Sequence, residues 1–323
     1  PDIVFLTYDS YVEGETMRGY GIDNSEQETY LESRGFQIER GTYTVAGDSS
    51  ASMGRVLGGS SPGDAIAGGG ALLDALGEAG YLKAGVFKSD YLFSRAEPAY
   101  DYSFPDVWPR YLTMLRGILE GRFRHDLAFS QIPHEDYVAE KRAMLATESD
   151  APQLIYTHSG PGHSVNAAAC RDDEIELFEQ RLADANVEMR EDIELVLERR
   201  PGAIVIVNGD HGPYLTKNCW GLHLGGYEMD EVTRLDIQDR FGSFLAIKWP
   251  NGVAPADAEI TVLQDVLPAV LVEVFPDLDA EALRGTTRIV ESEERVIAGV
   301  SVDDGVIVGG QLDGEPLFES AAR

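Results

Sequence analysis

The feature that most constrains the fold is an alternation of short apolar runs with stretches of helical periodicity. Turn residues bound the runs Ile3–Thr7, Tyr81–Phe87 and Ala203–Val207, and helical stretches such as Ser25–Arg34 and Gly68–Gly80 lie between such runs. This pattern is typical of a mainly parallel central sheet with helices on both faces. Further runs complete the predicted sheet: Phe36–Val45, Leu154–Tyr156 and Ser243–Ile247. We therefore predict an α/β fold.

Two further segments refine this picture. Arg171–Arg200 carries Ile175, Phe178, Leu182, Val187, Ile193 and Val196 at helical intervals, which predicts a long amphipathic helix. After Pro250 the pattern changes to a helix near Val262–Phe275 followed by short β-like runs at Arg288–Val290, Arg295–Val302 and Gly305–Val308. We predict a catalytic domain over residues 1–250 and a small α+β appendage over residues 251–323.

The charge of the chain excludes one class of partner. Twenty-six Lys and Arg residues stand against 56 Asp and Glu residues, a formal net charge of −30. Because nucleic-acid affinity comes mainly from basic side chains that neutralise phosphates, we expect no nucleic-acid partner. No apolar stretch reaches the length of a membrane span, although an anchor upstream of Pro1 or a peripheral membrane contact stays open.

Polar side chains follow the predicted strands where ligands bind in open α/β sheets. Asp9 follows the first strand, and Asp210 and His211 follow Ala203–Val207 in a glycine-flanked turn. Asp48–Ser52 is a serine-rich entry to a helix. Carboxylates, an imidazole and a hydroxyl would suit a divalent metal, and the metal would activate the hydroxyl as a nucleophile. Taken singly, each group could instead be a helix cap or turn residue.

The stretches PDIVFLTYDSY and GDHG resemble the alkaline phosphatase/sulfatase superfamily, and the resemblance covers roughly residues 2–250. Within it the chain is most similar to lipoteichoic-acid-synthase-like and related envelope sulfatase-like proteins, through stretches such as THSGPGH and RFGSFLAIKWP. The resemblance implies an alkaline-phosphatase-like core, with Asp9, Asp210 and His211 as metal ligands. It also implies a nucleophile in the serine loop.

Counting back from Leu57–Gly59 places the nucleophile that the resemblance implies at Ser49, which would also be a metal ligand. Ser50 is the second candidate and Thr44 the third. The stretch from Ser49 to Ser52 mimics the sulfatase pattern Cys/Ser-x-Pro/Ala-x-Arg, but Met53 stands where that pattern has arginine. The resemblance therefore favours an unmodified serine that is transiently phosphorylated over a sulfatase.

The resemblance also implies roles for residues that contact the substrate. His163 occupies the place of a substrate-contacting or second-metal histidine, and Arg95 that of an arginine that meets the substrate phosphate. His158 and His223 are weaker candidates, because a histidine is often a hydrogen-bonded loop or surface residue.

Two features of the sequence each allow two interpretations. The segment Val107–His125 carries four arginines interleaved with apolar side chains, which fits either an anionic lipid or polyanion surface or an ordinary helix paired with acidic neighbours. Cys170 and Cys219 could form one disulfide, as in an extracytoplasmic enzyme, or remain two buried thiols.

Together these observations predict a metal-dependent phosphoester hydrolase or phosphotransferase that works through a phosphoserine. We expect Mn²⁺ first, with Zn²⁺, Mg²⁺ or Ca²⁺ also compatible. We also expect a phosphorylated small-molecule, lipid or glycan substrate, such as a glycerol-phosphate-type envelope phosphodiester, and an extracytoplasmic location. The alternatives are a sulfate-ester hydrolase of the same fold and a catalytically degenerate binding module. The oligomeric state stays open.

Overall fold

The protein is described here from a computed structural model. It describes residues 1–59, 65–93, 97–106, 132–163, 170–218, 229–255, 260–279, 281–289 and 299–320, together with positions 112, 115, 118 and 119.

A seven-stranded sheet forms the centre of the fold, in the order β2-β7-β6-β1-β5-β3-β4. Its strands are β1 Ile3–Tyr8, β2 Gln37–Ile38, β3 Leu82–Phe87, β4 Tyr102–Phe104, β5 Gln153–Ser159, β6 Ile204–Gly209 and β7 Leu245–Lys248. Strands β6, β1, β5, β3 and β4 pair in parallel, and β7 runs antiparallel to β6 and β2. The predicted α/β fold with a mainly parallel sheet is confirmed.

The central strand β1 and its two neighbours determine where the residues that follow these strands leave the sheet. All six of its residues are buried, because β5 and β6 flank it and both faces of the sheet are covered. In register, Tyr8 lies opposite Ser159 on one side and opposite Gly209 on the other. The residues that follow these three strands therefore leave the sheet side by side at one edge.

Helices cover both faces. They are α1 Gly14–Gly19, α2 Ser25–Ser33, α3 Ser49–Gly58, α4 Ala71–Glu78, α5 His134–Ala146, α6 Glu174–Arg199, α7 Arg234–Phe241 and α8 Val266–Val274. Side chains of α3, α4 and α8 pack on the face that carries Ile3 and Phe5. Side chains of α2, α5 and α6 pack on the opposite face, which carries Val4 and Leu6. Successive β1 residues thus enter different cores, as the two-residue period of a strand requires.

The long helix α6 confirms the predicted amphipathic segment. Its buried apolar side chains recur every three or four residues: Phe178, Leu182, Ala185, Met189, Ile193 and Val196. We expected Val187 on this apolar face, but it is exposed. It is two residues from both Ala185 and Met189, which places it on the opposite side of the helix from these buried residues.

Two predicted strands differ from the structure. Only Gln37–Ile38 of the predicted strand Phe36–Val45 pairs in the sheet, because the chain turns at Gly41 with φ of 79°. The rest of that run connects to α3, with Tyr43 making isolated bridges. The predicted strand Ser243–Ile247 begins two residues later and is antiparallel to its neighbours.

The residues after Pro250 share cores with the rest of the protein. Helix α8 packs in the same cluster as α3, and the hairpin of β8 Ser301–Asp303 and β9 Val306–Val308 packs in a cluster with Tyr43 and Phe241. Arg288 and Ile289 are not in a strand, and residues 290–298 lie outside the described residues. A domain boundary near 250 stays a prediction.

The basic segment Val107–His125 lies outside the described residues except at four positions, of which Leu115, Ile118 and Leu119 are exposed. Within the part of the chain that is described, no helix combines the length and apolar character needed to cross a bilayer.

Candidate active site

The candidate site lies where β1, β5 and β6 end. Asp9 follows β1, the turn from Gly160 to His163 follows β5, and Asp210 and His211 follow β6. Gly160 has φ of 149°, and a Cβ there would overlap the backbone of Asp9. This close approach explains why glycine stands at the first residue after β5.

Three of the four predicted metal ligands lie close to Nε2 of the fourth, His211. It lies 3.4 Å from Oγ of Ser49, 3.5 Å from Oδ2 of Asp210 and 3.7 Å from Oδ1 of Asp9. The fold thus brings together four residues that are separated by up to 202 positions, from Asp9 to His211.

Backbone groups orient two of these side chains. Nδ1 of His211 lies 2.9 Å from the carbonyl oxygen of Gly212, so that an Nδ1–H donor there leaves the lone pair of Nε2 facing the site. Oδ1 of Asp210 accepts from the backbone N–H groups of Ser10 and His211, both at 2.9 Å. Ser10 reaches this geometry with φ of 63°, which few residues other than glycine adopt.

The carboxyl of Asp210 is fully buried, and this burial alone would raise its pKa. His211 and His158 outweigh burial, and the pKa of Asp210 lies well below its usual range. Its Oδ2 atom lies 3.2 Å from Nε2 of His158 and 3.5 Å from Nε2 of His211, and among the described residues no hydrogen bond of good geometry reaches it. A buried anionic oxygen in that state favours a cation.

Ser49 begins α3, where Asp48 caps the helix by accepting from the N–H of Ala51 at 2.9 Å. Ser49 and Ser50 are both partly exposed, but of the two only Ser49 lines the pocket that opens over the site. Thr44 is fully buried and lies 2.6 Å from Ser52, which donates to the carbonyl oxygen of Asp210. Thr44 and Ser52 thus join the serine loop to β6.

His163 lies beside His211, with ring centroids 5.4 Å apart. Burial lowers its pKa to about 4, so the imidazole is neutral near pH 7, the form that binds metals. Ligand atoms of Asp9, His163 and His211 all lie within 4.8 Å of one another.

His158 is the next-to-last residue of β5, and its Nε2 lies 3.2 Å from Oδ2 of Asp210. Burial disfavours its charged form, but Asp210 and Asp9 outweigh burial and raise the pKa of His158 above its ordinary value. Its Nδ1 lies 2.9 Å from the hydroxyl of Tyr156. The sequence ranked His158 below His163, yet His158 lies within ion-pair distance of Asp210, a predicted metal ligand.

These distances test whether the residues fit a divalent ion. Ligand atoms bound tetrahedrally at about 2.1 Å from an ion are about 3.4 Å apart. The separations from Nε2 of His211 to Ser49, Asp210 and Asp9 fall close to that value. The mixed oxygen and nitrogen donors agree with it. The residues present therefore fit a metal ion.

A pocket of about 310 Å³ opens over this centre. Asp9, Ser49, His158 and His163 line it, and its walls add side chains that sequence reasoning missed: Lys88, Tyr91 and Arg181. Lys88 follows β3 directly, so the strand-end rule that found Asp9 would also have found it. Arg181 lies within the amphipathic pattern of α6 and had no distinguishing signal.

Three predicted residues lie outside the described part of the chain: Arg95, His223 and Cys219. Cys170 is disulfide-bonded, and Cys219 is the only other cysteine in the sequence. The interpretation with two unpaired thiols is therefore not supported.

Comparisons with known proteins place the fold. No family model and no curated protein sequence matches the chain. The C-terminal periplasmic domain of EptC from Escherichia coli, solved in complex with Zn, matches with a TM-score of 0.58 at 12% identity, over 96% of this chain and 94% of that one. The lipoteichoic acid synthase LtaP from Listeria monocytogenes matches with a TM-score of 0.55 at 9% identity, over 99% and 87%.

The putative sulfatase yidJ from Bacteroides fragilis matches with a TM-score of 0.54 at 12% identity, over 96% of this chain and 88% of that one. Sequence identities this low support a shared fold but not a shared activity. The chain therefore shares its fold with these three solved structures, in agreement with the α/β core that the sequence resemblance implied.

Proposed function

We propose that the protein is a metal-dependent phosphoester hydrolase or phosphotransferase that works through a phosphoserine at Ser49. The observation that carries this proposal is the grouping of Ser49, Asp210 and Asp9 around Nε2 of His211. Structural neighbours named as a phosphoethanolamine transferase, a lipoteichoic acid synthase and a putative sulfatase support activity of the phosphotransferase or sulfatase type.

Asp9, Asp210, His211 and Ser49 would hold the ion. When bound, a divalent cation would favour the alkoxide form of Ser49 and offset negative charge on the substrate. We keep Mn²⁺ as the first choice and Zn²⁺ as the second, because a mixed set of carboxylate, hydroxyl and imidazole donors suits both.

In the proposed reaction, Oγ of Ser49 attacks phosphorus, the Oγ–P bond forms and the bond from phosphorus to the leaving oxygen breaks. As the Oγ–P bond forms, the Ser49 hydroxyl gives its proton to the neutral imidazole of His163 or to water held there, and this proton then passes to the leaving oxygen. Water or an acceptor hydroxyl then breaks the Oγ–P bond and restores Ser49. The start of α3 presents backbone N–H groups near the phosphoryl oxygens.

The pocket walls fit an anionic substrate despite the acidic surface of the protein. Asp9 is the only carboxylate among the described lining residues, whereas Lys88 and Arg181 are both cationic, although Arg181 also pairs with the buried carboxylate of Glu174. A phosphodiester of a small molecule, lipid or glycan meets this requirement. We place the reaction outside the cytoplasm, because the disulfide at Cys170 persists in oxidising compartments and the EptC neighbours are periplasmic domains.

A sulfate-ester hydrolase is the second candidate, since putative sulfatases share the fold. The identity of residue 53 argues against it. Met53 stands where the sulfatase pattern has arginine, and its side chain is fully buried in the apolar core beside α4. Turnover of an aryl sulfate faster than of bis(p-nitrophenyl) phosphate by the same preparation would favour this candidate.

The decisive experiment combines metal depletion with serine variants. Chelated protein is assayed with bis(p-nitrophenyl) phosphate, then titrated with Mn²⁺ and Zn²⁺, and the covalent intermediate is sought by intact-mass spectrometry. We expect turnover to need metal and S49A to lose it, whereas the control S50A keeps it. Full activity after metal depletion, or in S49A, would overturn the proposal. Metal binding without any turnover would favour a degenerate binding module.

A further inference from the structure

Tyr214, three residues after His211, has an unusual backbone conformation. Its φ is 58°, in the left-handed region that a bulky side chain rarely adopts. The residue is only 5% exposed, so contacts inside the protein surround it. Strained backbone of this kind persists only where surrounding contacts hold it, and it is found at functional sites more often than elsewhere.

The ring and hydroxyl of Tyr214 contact three separate loops. Its hydroxyl donates to the carbonyl oxygen of Gly47, two residues before Ser49. Its ring lies edge-on to His163, with centroids 5.1 Å apart and planes at 69°. The ring of His211 lies 5.7 Å away. One side chain therefore links the serine loop, the loop after β5 and the loop after β6.

Arg240, at the end of α7, fixes the other side of the ring. Its guanidinium carbon lies 4.0 Å from the centroid of Tyr214, within cation–π range. The same guanidinium lies against Gly47, where an added Cβ would overlap Nε and Cζ of Arg240. Arg240 is thus packed between the backbone of Gly47 and the ring of Tyr214, which couples the two further.

We propose that Tyr214 is a positioning residue that sets the separation of the Ser49 hydroxyl from Nε2 of His211. This inference rests on the proposed function of Ser49. Tyr214 does not line the pocket, so it acts through Gly47 and the two imidazoles rather than on the substrate. Because a displacement of about 1 Å at a reacting group can cost about a hundredfold in rate, a hydrogen bond this close to the nucleophile is measurable in turnover.

The test compares Y214F with Y100F. Tyr100 is a matched control, because it is also buried and its hydroxyl donates to a backbone carbonyl, that of Ile66 at 3.0 Å, within the core beside α4. We expect Y214F to lower kcat about tenfold or more with little change in KM, and Y100F to leave kcat unchanged. The variant Y214M, which also loses the ring, should lose more than Y214F.

A second readout does not depend on activity. Ring resonances of His163 and His211 in NMR spectra of metal-free protein should shift in Y214F and stay in place in Y100F. If wild-type protein shows no metal-dependent turnover, the proposed function fails while these resonances still report on the positioning. Y214F with wild-type kcat and unshifted resonances would overturn the inference, as would an equal loss of kcat in Y100F.

Discussion

Nε2 of His158 lies 3.2 Å from Oδ2 of Asp210, and Nε2 of His211 approaches the same oxygen at 3.5 Å. One buried carboxylate oxygen therefore joins the end of β5 to the loop after β6. This contact makes His158 part of the framework of the site, although the sequence pattern ranked it low.

The first prediction concerns this pair. His158→Gln removes the ion pair with a fully buried carboxylate, and we expect a loss of about 1–3 kcal/mol in the free energy of unfolding. His134→Gln is the control, because His134 pairs with Glu188 at 2.8 Å but its side chain is 53% exposed. Exposed pairs contribute about 0–1 kcal/mol. Urea unfolding of metal-free protein at pH 6 measures both, and equal losses would contradict the prediction.

The second prediction concerns Gly160. A Cβ there would overlap the backbone of Asp9, and φ of 149° is strained for alanine, so Gly160→Ala should displace Asp9. We expect metal affinity to fall about tenfold or more, by analogy with the loss of groups that orient ligands. Gly202→Ala is the control, since nothing lies within 4 Å of its Cβ position. Calorimetric titration with Mn²⁺ tests this, and unchanged affinity in Gly160→Ala would refute it.

The third prediction separates two roles for His163. If His163 passes a proton to the leaving oxygen, His163→Gln should slow hydrolysis of a phosphodiester with an alkyl leaving group much more than hydrolysis of a p-nitrophenyl ester. The reason is that p-nitrophenolate leaves without a proton. We expect a difference of about a hundredfold, the usual scale of general acid catalysis. If instead both substrates slow equally and metal affinity falls, His163 is a metal ligand, as its place beside Asp9 and His211 allows.

The fourth prediction concerns pH and Asp239, which lies under the loop that follows His211. Burial, together with the charge of Asp236, raises the pKa of Asp239 to about 7, although Leu215 N–H and the Tyr20 hydroxyl donate to it. Below the ordinary pKa of 3.8 both folded and unfolded chains bind this proton. Between that value and pH 7 the unfolded chain releases it first, so stability falls as pH rises.

Asp239→Asn should remove this dependence. At about 1.4 kcal/mol per pH unit, the variant should gain up to about 4 kcal/mol relative to wild type between pH 4 and pH 8. Urea unfolding of both proteins across this range is the measurement. A stability difference that does not change with pH would show that the carboxyl of Asp239 is already ionised in the folded protein at acid pH.

Local sequence determined a large part of this protein. The apolar run Ile3–Thr7 is buried on both faces and could form only a central strand. Asp9 therefore lies at the end of that strand. The spacing of Phe178, Leu182 and Met189 fixes one face of α6. Gly209 and Gly212 around Asp210 and His211 indicated a turn that presents two polar side chains, which the structure contains.

Only the tertiary structure decided how these pieces meet. The register of β1 between β5 and β6 brings Asp9, His158 and Asp210 to one edge, and no local pattern encodes that register. Long-range contacts also decided that β7 runs antiparallel and that Tyr214 joins the loops of Ser49, His163 and His211. Hydrophobic periodicity depends on neighbours in sequence, whereas a site depends on side chains up to about 200 residues apart, whose distances are set by the packing of the whole sheet.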